Sequence, residues 1–276
     1  MMTQPKSALR QRVVTGLSLG ALAIAGVLLL PTPVLGAAMG AVMLLGAREW
    51  AQLTGCRQAW SQGLYVAGVM AFSLGVAWLT LLAEQHWPLL IAMLWWLAIA
   101  FFNAVYRSAW KRFGWWRWPW RVAGFMVLGP AWVAVVMLHQ LAALWLLFLL
   151  MLTSTADIAA FFTGRYFGHS PLAPDLSPGK TREGLYGALV ACALLGTLGA
   201  WVAGLPLGIW TGFVGLCLLS VLISVEGDLF ESLLKRHAGV KDSSALLPGH
   251  GGVLDRIDSV TAAAPVFVLG LVWILP

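Results

Sequence analysis

All 17 Lys and Arg residues of this chain fall in alternate gaps between long apolar runs. Such runs can be drawn about nine times, at 13–30, 34–47, 62–82, 88–106, 122–138, 141–163, 184–203, 207–230 and 258–275. An α-helix needs roughly 20 apolar residues to cross a hydrocarbon core, and most of these runs approach that length. Lys6, Arg10 and Arg12 precede the first run, Arg48 and Arg57 follow the second, and Arg107, Lys111, Arg112, Arg117 and Arg121 follow the fourth. Arg165, Lys180 and Arg182 follow the sixth, and Lys235, Arg236, Lys241 and Arg256 separate the eighth from the ninth. The intervening gaps, Pro31 to Pro33, Glu84 to His86, His139 to Gln140 and Gly204 to Pro206, are short and nearly uncharged. The expected fold is therefore all-α: a polytopic integral membrane protein of about nine transmembrane helices. Because cytoplasmic loops collect Lys and Arg, the N-terminus is expected to be cytoplasmic and Pro276 outside.

Composition agrees, with 60% hydrophobic residues, 16 Trp and a mean hydropathy of +0.85. A net charge of +6 would suit nucleic acid if a soluble domain gathered it into a groove. Here it is spread over juxtamembrane loops, where anionic lipid headgroups are the natural partner. Cys56, Cys192 and Cys217 are odd in number and fall in apolar runs or basic-side loops, so no disulfide framework is expected. The N-terminus resembles a signal peptide up to Ala37-Ala38, but the charge alternation works with the first helix retained. Residues 1–150 hold only Glu49 and Glu84 as acids and read as N-terminal transmembrane scaffold. The other nine of the 11 acidic residues lie from Asp157 to Asp258, which marks 151–276 as the catalytic part, its site facing the cytoplasm. The aromatic and basic loop Phe113 to Trp120 reads as an interfacial anchor at headgroup depth, or else as a surface where a lipid substrate is admitted.

Polar residues inside or beside the apolar runs carry the chemistry. Asp157 lies within the sixth run, where an ionised side chain is costly, and Thr153, Ser154 and Asp157 share one helical face expected to look into the bundle. Helix–helix hydrogen bonding explains such a face as well as a functional site does. Ser177-Pro178-Gly179-Lys180-Thr181 lacks the first glycine of a Walker A loop, Pro174 standing in its place, and has no preceding strand. It is expected to be a glycine-containing turn before a helix, suited to phosphate oxygens or simply to capping. Asp228, Glu231, Ser232 and Lys235 form one polar stripe on a helix. Asp255 and Asp258 are again three apart if a helix starts near Leu254, and they suit a helix cap as well as a ligand pair. Between them, glycines 249, 251 and 252 allow positive φ and close backbone approach. Hard oxygen ligands, glycine turns and clustered cations fit Mg²⁺ with a polyphosphate, and the His/Cys spacing of a zinc site is missing. The reaction class indicated is phosphoryl or nucleotidyl transfer.

The run Ser232 to Asp258, with Leu234-Lys235-Arg236, Lys241-Asp242, Ser244, Leu247-Pro248, His250-Gly251-Gly252 and Asp255-Arg256-Ile257-Asp258, resembles the signature of the phosphatidate cytidylyltransferase (CDP-diacylglycerol synthase) family. Ser-Pro-Gly-Lys-Thr, Gly227 to Ser232, and Asp157 followed by Phe161-Phe162, Gly164-Arg165 and Gly168 are also similar to family patterns. Arg182 departs from them, many relatives having Trp there. The resemblance implies CMP transfer from CTP to phosphatidate, giving CDP-diacylglycerol and pyrophosphate for phospholipid biosynthesis. It also implies Mg²⁺ as cofactor, as one ion or two. On that basis Asp228, Asp255 and Asp258 are expected to bind metal, and Lys180, Lys241, Asp242, His250 and Asp258 to serve catalysis. Ser177, Thr181, Ser232, Lys235, Arg236, Gly251, Gly252 and Arg256 are expected to bind substrate, with Asp157 and Glu231 in support. Expected partners are CTP, phosphatidate and membrane lipids, with no nucleic acid; a homodimer is compatible. The expected location is a bacterial inner (plasma) membrane. Rival readings are a CTP-dependent lipid-alcohol kinase and an ion-coupled transporter, the latter weakened because the polar residues gather at one membrane face.

Overall fold

The computed structural model describes residues 6–106, 117–247, 249 and 251–275, with side chains from residue 15 onward and excluding those of 104–106. His250, Pro248 and residues 107–116 of the aromatic loop lie outside the described residues. Nine α-helices are found among the described residues: α1 (Lys6–Leu29), α2 (Thr32–Leu53), α3 (Ala59–Ala77), α4 (Trp87–Tyr106), α5 (Arg117–Leu141), α6 (Ala143–Phe167), α7 (Arg182–Val202), α8 (Leu207–His237) and α9 (Leu254–Ile274). Seven, α2, α3 with the π-helical turn Trp78–Leu82 that follows it, and α5 to α9, are long and apolar enough to cross a membrane. In α1 and α4 the described apolar stretches are shorter, Thr15–Leu29 and Trp87–Asn103. The chain is thus a polytopic helical membrane protein.

One element departs from an all-α chain. β1 (Pro171–Ala173) and β2 (Ser177–Thr181) form an antiparallel hairpin pairing Pro171 with Thr181 and Ala173 with Ser177. Leu172, Ala173 and Leu176 are buried, and that apolar underside holds the hairpin down. Ser-Pro-Gly-Lys-Thr is therefore a strand, not the turn expected from its glycine. Thr181 does cap α7, accepting from Gly184 N at 3.1 Å.

Prolines mark several boundaries, as their fixed φ and missing N–H require. Pro31 precedes α2 with Pro33 in its first turn, and Pro206 precedes α8. α5 and α9 are the most buried spans, and α8 packs chiefly on α9 as α6 does on α7. At the far end from the polar cleft, His139 of α5 ties the α1–α2 corner, its ring nitrogens 2.9 Å from Val27 O and Thr32 Oγ1. At the cleft end, Phe230 of α8 lies within an aromatic cluster of Trp50, Trp95, Trp96 and Trp120. Trp120 is buried, so this end of the aromatic loop is core and not headgroup anchor. Trp118 is exposed beneath a cation–π contact with Arg121 at 5.2 Å, which suits an interface.

α8 and α9 approach closely at Gly227, where a Cβ would meet Ala262 Cβ and Asp258 O at 2.7 Å. Neither partner can yield, one being backbone and the other a rigid methyl. Gly227→Ala should therefore destabilise the protein by roughly 1–3 kcal/mol through overpacking. Thermal unfolding in detergent checks this, with a lowered midpoint expected; an unchanged midpoint would mean that the helices part freely here.

Candidate active site

The polar stripe of α8 is real: the helix runs unbroken to His237, beyond the apolar run that suggested it, and one edge carries Asp228, Glu231, Ser232 and Lys235. Facing it, α9 begins at Leu254 and presents Asp255 and Asp258 in its first two turns. Between these helices and α6 opens a cleft of about 350 Å³, a volume that suits a ligand pocket. Asp157, Asp228, Asp242, Asp255 and Asp258 line it together with Lys235, Arg236, Lys241, Arg256, Ser232 and Ser259. Expected site residues from three separate stretches of sequence thus meet in one place.

Inside the cleft the carboxylates divide into two sets. Asp228, Glu231 and Asp258 can each offer an oxygen such that all lie within 4.8 Å of one another. Glu231 is 3% exposed, and its Oε1 is buried without a hydrogen-bond partner among the described residues. Three carboxylates at that spacing repel, and a buried oxygen with no donor is costly, unless a cation lies among them or two of them share a proton. The donor set is all oxygen, which fits a hard divalent ion. Glu231, expected in a supporting role, is therefore a member of this trio.

Asp255 turns elsewhere. Its Oδ1 accepts from Lys235 Nζ at 2.6 Å, and its Oδ2 from Ser243 N at 2.9 Å and Gly252 N at 2.8 Å, with Ser243 Oγ also 2.9 Å away. Those bonds close the loop before α9: Asp255 holds Ser243 and Gly252 ahead of the helix and does not cap the helix's own first N–H groups. Lys235, buried on α8, also donates to Glu231 Oε2 at 2.9 Å and so bridges both carboxylate sets. Its ammonium is held by protein acids, whereas Arg236, Lys241 and Arg256 are exposed at the cleft. Ser232 Oγ donates to Asp228 Oδ1 at 3.3 Å.

The hairpin packs beside the cleft. Lys180 of β2 pairs with Asp228, and Arg236 Nε reaches Leu176 O at 3.5 Å, fastening the hairpin to the end of α8. Glu183 accepts from His169 N and Ser170 N at 3.1 to 3.3 Å, which fixes the turn from α6 into β1. Asp157 is exposed where the cleft meets a second, mainly apolar pocket of about 200 Å³ whose lining includes Ala160, Phe161, Leu172, Gly179, Lys180 and Thr181. Thr153 faces the bundle as expected, its hydroxyl bonded to the helix carbonyls of Leu149 and Leu150, but Ser154 on the same expected face is exposed. Ser177 lies at the start of β2 and does not line the cleft.

Of the loop glycines, Gly249 and Gly251 have φ of 76° and 80°, conformations that favour glycine. Gly252 serves close approach instead: a Cβ there would run into Ser243 Oγ and both carboxylate oxygens of Glu49. Glu49 is the residue that sequence reasoning overlooked. It stands two positions beyond the end drawn for the second apolar run and beside Arg48, so it read as a loop residue. An acid in an otherwise nearly acid-free half was the available signal.

Comparison with known proteins bears on this geometry. A family described as the cytidylyltransferase family matches residues 10–274. A phosphatidate cytidylyltransferase of Pseudomonas aeruginosa is 41% identical over 270 residues, 96% of this chain and 97% of that protein. One of Haemophilus influenzae is 37% identical over 288 residues, 94% of this chain and 97% of that protein. One of Synechocystis is 46% identical over 121 residues, 44% and 41% of the respective chains. A match over residues 10–274 takes in α6, α8, the loop before α9 and α9, which line the cleft, and this chain belongs to the cytidylyltransferase family.

Proposed function

We propose that the protein transfers CMP from CTP to phosphatidate, forming CDP-diacylglycerol and pyrophosphate for phospholipid synthesis. The observation that carries this reading is the joining, at Asp157 and Lys180, of a charged cleft and an apolar pocket between α6, the hairpin and α7. A reaction between a soluble polyanion and a lipid phosphate needs those two environments side by side. The printed names of the full-length relatives point the same way.

Asp228, Glu231 and Asp258 would hold Mg²⁺, as one ion or two. When bound, the metal supplies charge neutralisation and orientation for the phosphates. Arg236, Lys241 and Arg256 take phosphate oxygens of CTP, and Lys180, released from Asp228, meets the phosphatidate headgroup while its acyl chains leave along the apolar pocket. A phosphate oxygen of phosphatidate attacks the α-phosphorus of CTP. The new P–O bond forms as the bond to the β-phosphate bridging oxygen breaks, and pyrophosphate departs with that electron pair. No protein nucleophile is needed, and the attacking oxygen is already anionic, so little is asked of a general base. Lys235 keeps its two carboxylates ordered, and Asp242 and His250 would orient the loop before α9 or its ligands.

Nine transmembrane helices, a cytoplasmic N-terminus and a site facing the cytoplasm of a bacterial inner membrane complete the reading. They are supported by the one-sided distribution of the 17 basic residues and by bacterial relatives. Residues 151–276 carry the chemistry on a scaffold of 1–150, and a homodimer is compatible with it. Purified protein given CTP, phosphatidate and Mg²⁺ should release pyrophosphate only when phosphatidate is present. Release of CDP would mark a kinase and overturn the reading.

A further inference from the structure

Glu49 lies on α2, remote in sequence from the site, yet its side chain is buried against the loop before α9. Oε1 accepts from Ser244 Oγ at 2.6 Å and Val253 N at 2.9 Å. Oε2 accepts from Leu254 N at 2.8 Å, with Ser243 Oγ 2.9 Å away. Backbone and hydroxyl groups thus surround both oxygens, the one proton of Ser243 being shared with Asp255, and no cation pairs with Glu49 among the described residues. The anion is held instead by the N-terminus of α9, where Val253, the residue before the helix, offers no side-chain cap of its own. Free N–H groups and the helix dipole both favour negative charge at that point. Ser243 Oγ stands 2.9 Å from both Glu49 Oε2 and Asp255 Oδ2. From Asp255 the contacts continue through Lys235 to Glu231, a member of the carboxylate trio. Nothing smaller than a missing side chain at position 252 would let these groups close up, since a Cβ there would come within 2.6 Å of Glu49 Oε2.

We propose that Glu49 is a positioning residue of the transfer reaction: by docking Ser243, Ser244, Val253 and the first turn of α9 onto α2, it holds Asp255 and Asp258 in register with α8. It does not line the cleft and acts through these residues, so the inference rests on the function proposed above.

Glu49→Gln tests it with almost no change in shape. Whichever way the amide turns, its NH₂ faces one serine hydroxyl, which can rotate to accept, and one backbone N–H, which cannot. In full-length protein in nanodiscs, kcat for CDP-diacylglycerol formation should fall about 10–100-fold, the usual effect of losing an outer partner of a metal site. KM for CTP should change little, and hydrogen exchange should speed up in peptides covering 243–258 while α3 and α7 keep their protection. A Glu49→Gln enzyme with wild-type kcat would overturn the proposal, as would exchange raised evenly over all helices, which is the mark of a general packing role. Should that variant not fold, Ser244→Ala, which removes one donor to Oε1, is expected to give a smaller fall of the same kind, and wild-type kcat there would count against the proposal. Wild-type protein in the same assay separates the two readings. If it makes no CDP-diacylglycerol, the proposed function fails, while the exchange measurement still decides whether Glu49 orders the loop.

Discussion

Asp258→Asn is expected to lower CDP-diacylglycerol formation by roughly 10³-fold, because several kcal/mol of charge stabilisation rest on the metal that the carboxylate trio would hold. A merely structural aspartate would lose stability together with activity. Here the two should separate. In metal-free buffer Asp228, Glu231 and Asp258 crowd one another within 4.8 Å, so removing one charge should leave the unfolding temperature at or above that of the wild type. Mg²⁺ should raise the wild-type midpoint and not that of the variant, since a ligand that binds only the folded state stabilises it by about 2.7 kcal/mol at a hundredfold excess over Kd. Thermal unfolding with and without Mg²⁺, run beside the activity assay, checks both parts. A variant that is less stable in metal-free buffer would make Asp258 a structural residue.

Lys235→Met should have the opposite signature. The lysine fits between Glu231 and Asp255, with side-chain exposures of 11%, 4% and 7%. Removing one partner from a buried ion pair leaves an uncompensated charge and typically costs about 3–5 kcal/mol. Two carboxylates lose their partner here, so a midpoint lower by on the order of 10 °C is expected, with activity lost. Adding Glu231→Gln to Lys235→Met should recover part of the stability and none of the activity. An unchanged midpoint for Lys235→Met would show that water or a metal reaches these carboxylates and that the lysine is dispensable to the fold.

Much of this arrangement was legible before any coordinates. Apolar length and one-sided charge located the helices, because lipid leaves the backbone little choice but to satisfy itself within each segment. Helical spacing put Asp228, Glu231, Ser232 and Lys235 on one edge of α8, and only the packing of α9 against that edge was needed to complete a cleft. The boundaries were less legible, since helices continue past the apolar runs wherever polar residues find partners: α8 runs on to His237 and α5 starts at Arg117. Division of labour among the carboxylates was not legible at all. Asp255 and Asp258 are equivalent by spacing, and only the position of Lys235 and Ser243 turns one away from the trio while Glu231 joins it. Glu49 was hidden for a similar reason, because its donors lie some two hundred residues away in sequence. The hairpin was missed since its glycine and proline argue locally for a turn; the buried Leu172 and Leu176, remote from any periodic pattern, hold it as strands.

The fate of the CTP phosphates tests the central claim most directly. With purified wild-type protein, phosphatidate and Mg²⁺, label in the α-phosphate of CTP should appear in the lipid product and label in the γ-phosphate in pyrophosphate, and Asp258→Asn should suppress both. Label from the γ-phosphate in lipid, or α-label in lipid undiminished in Asp258→Asn, would contradict nucleotidyl transfer at this cleft.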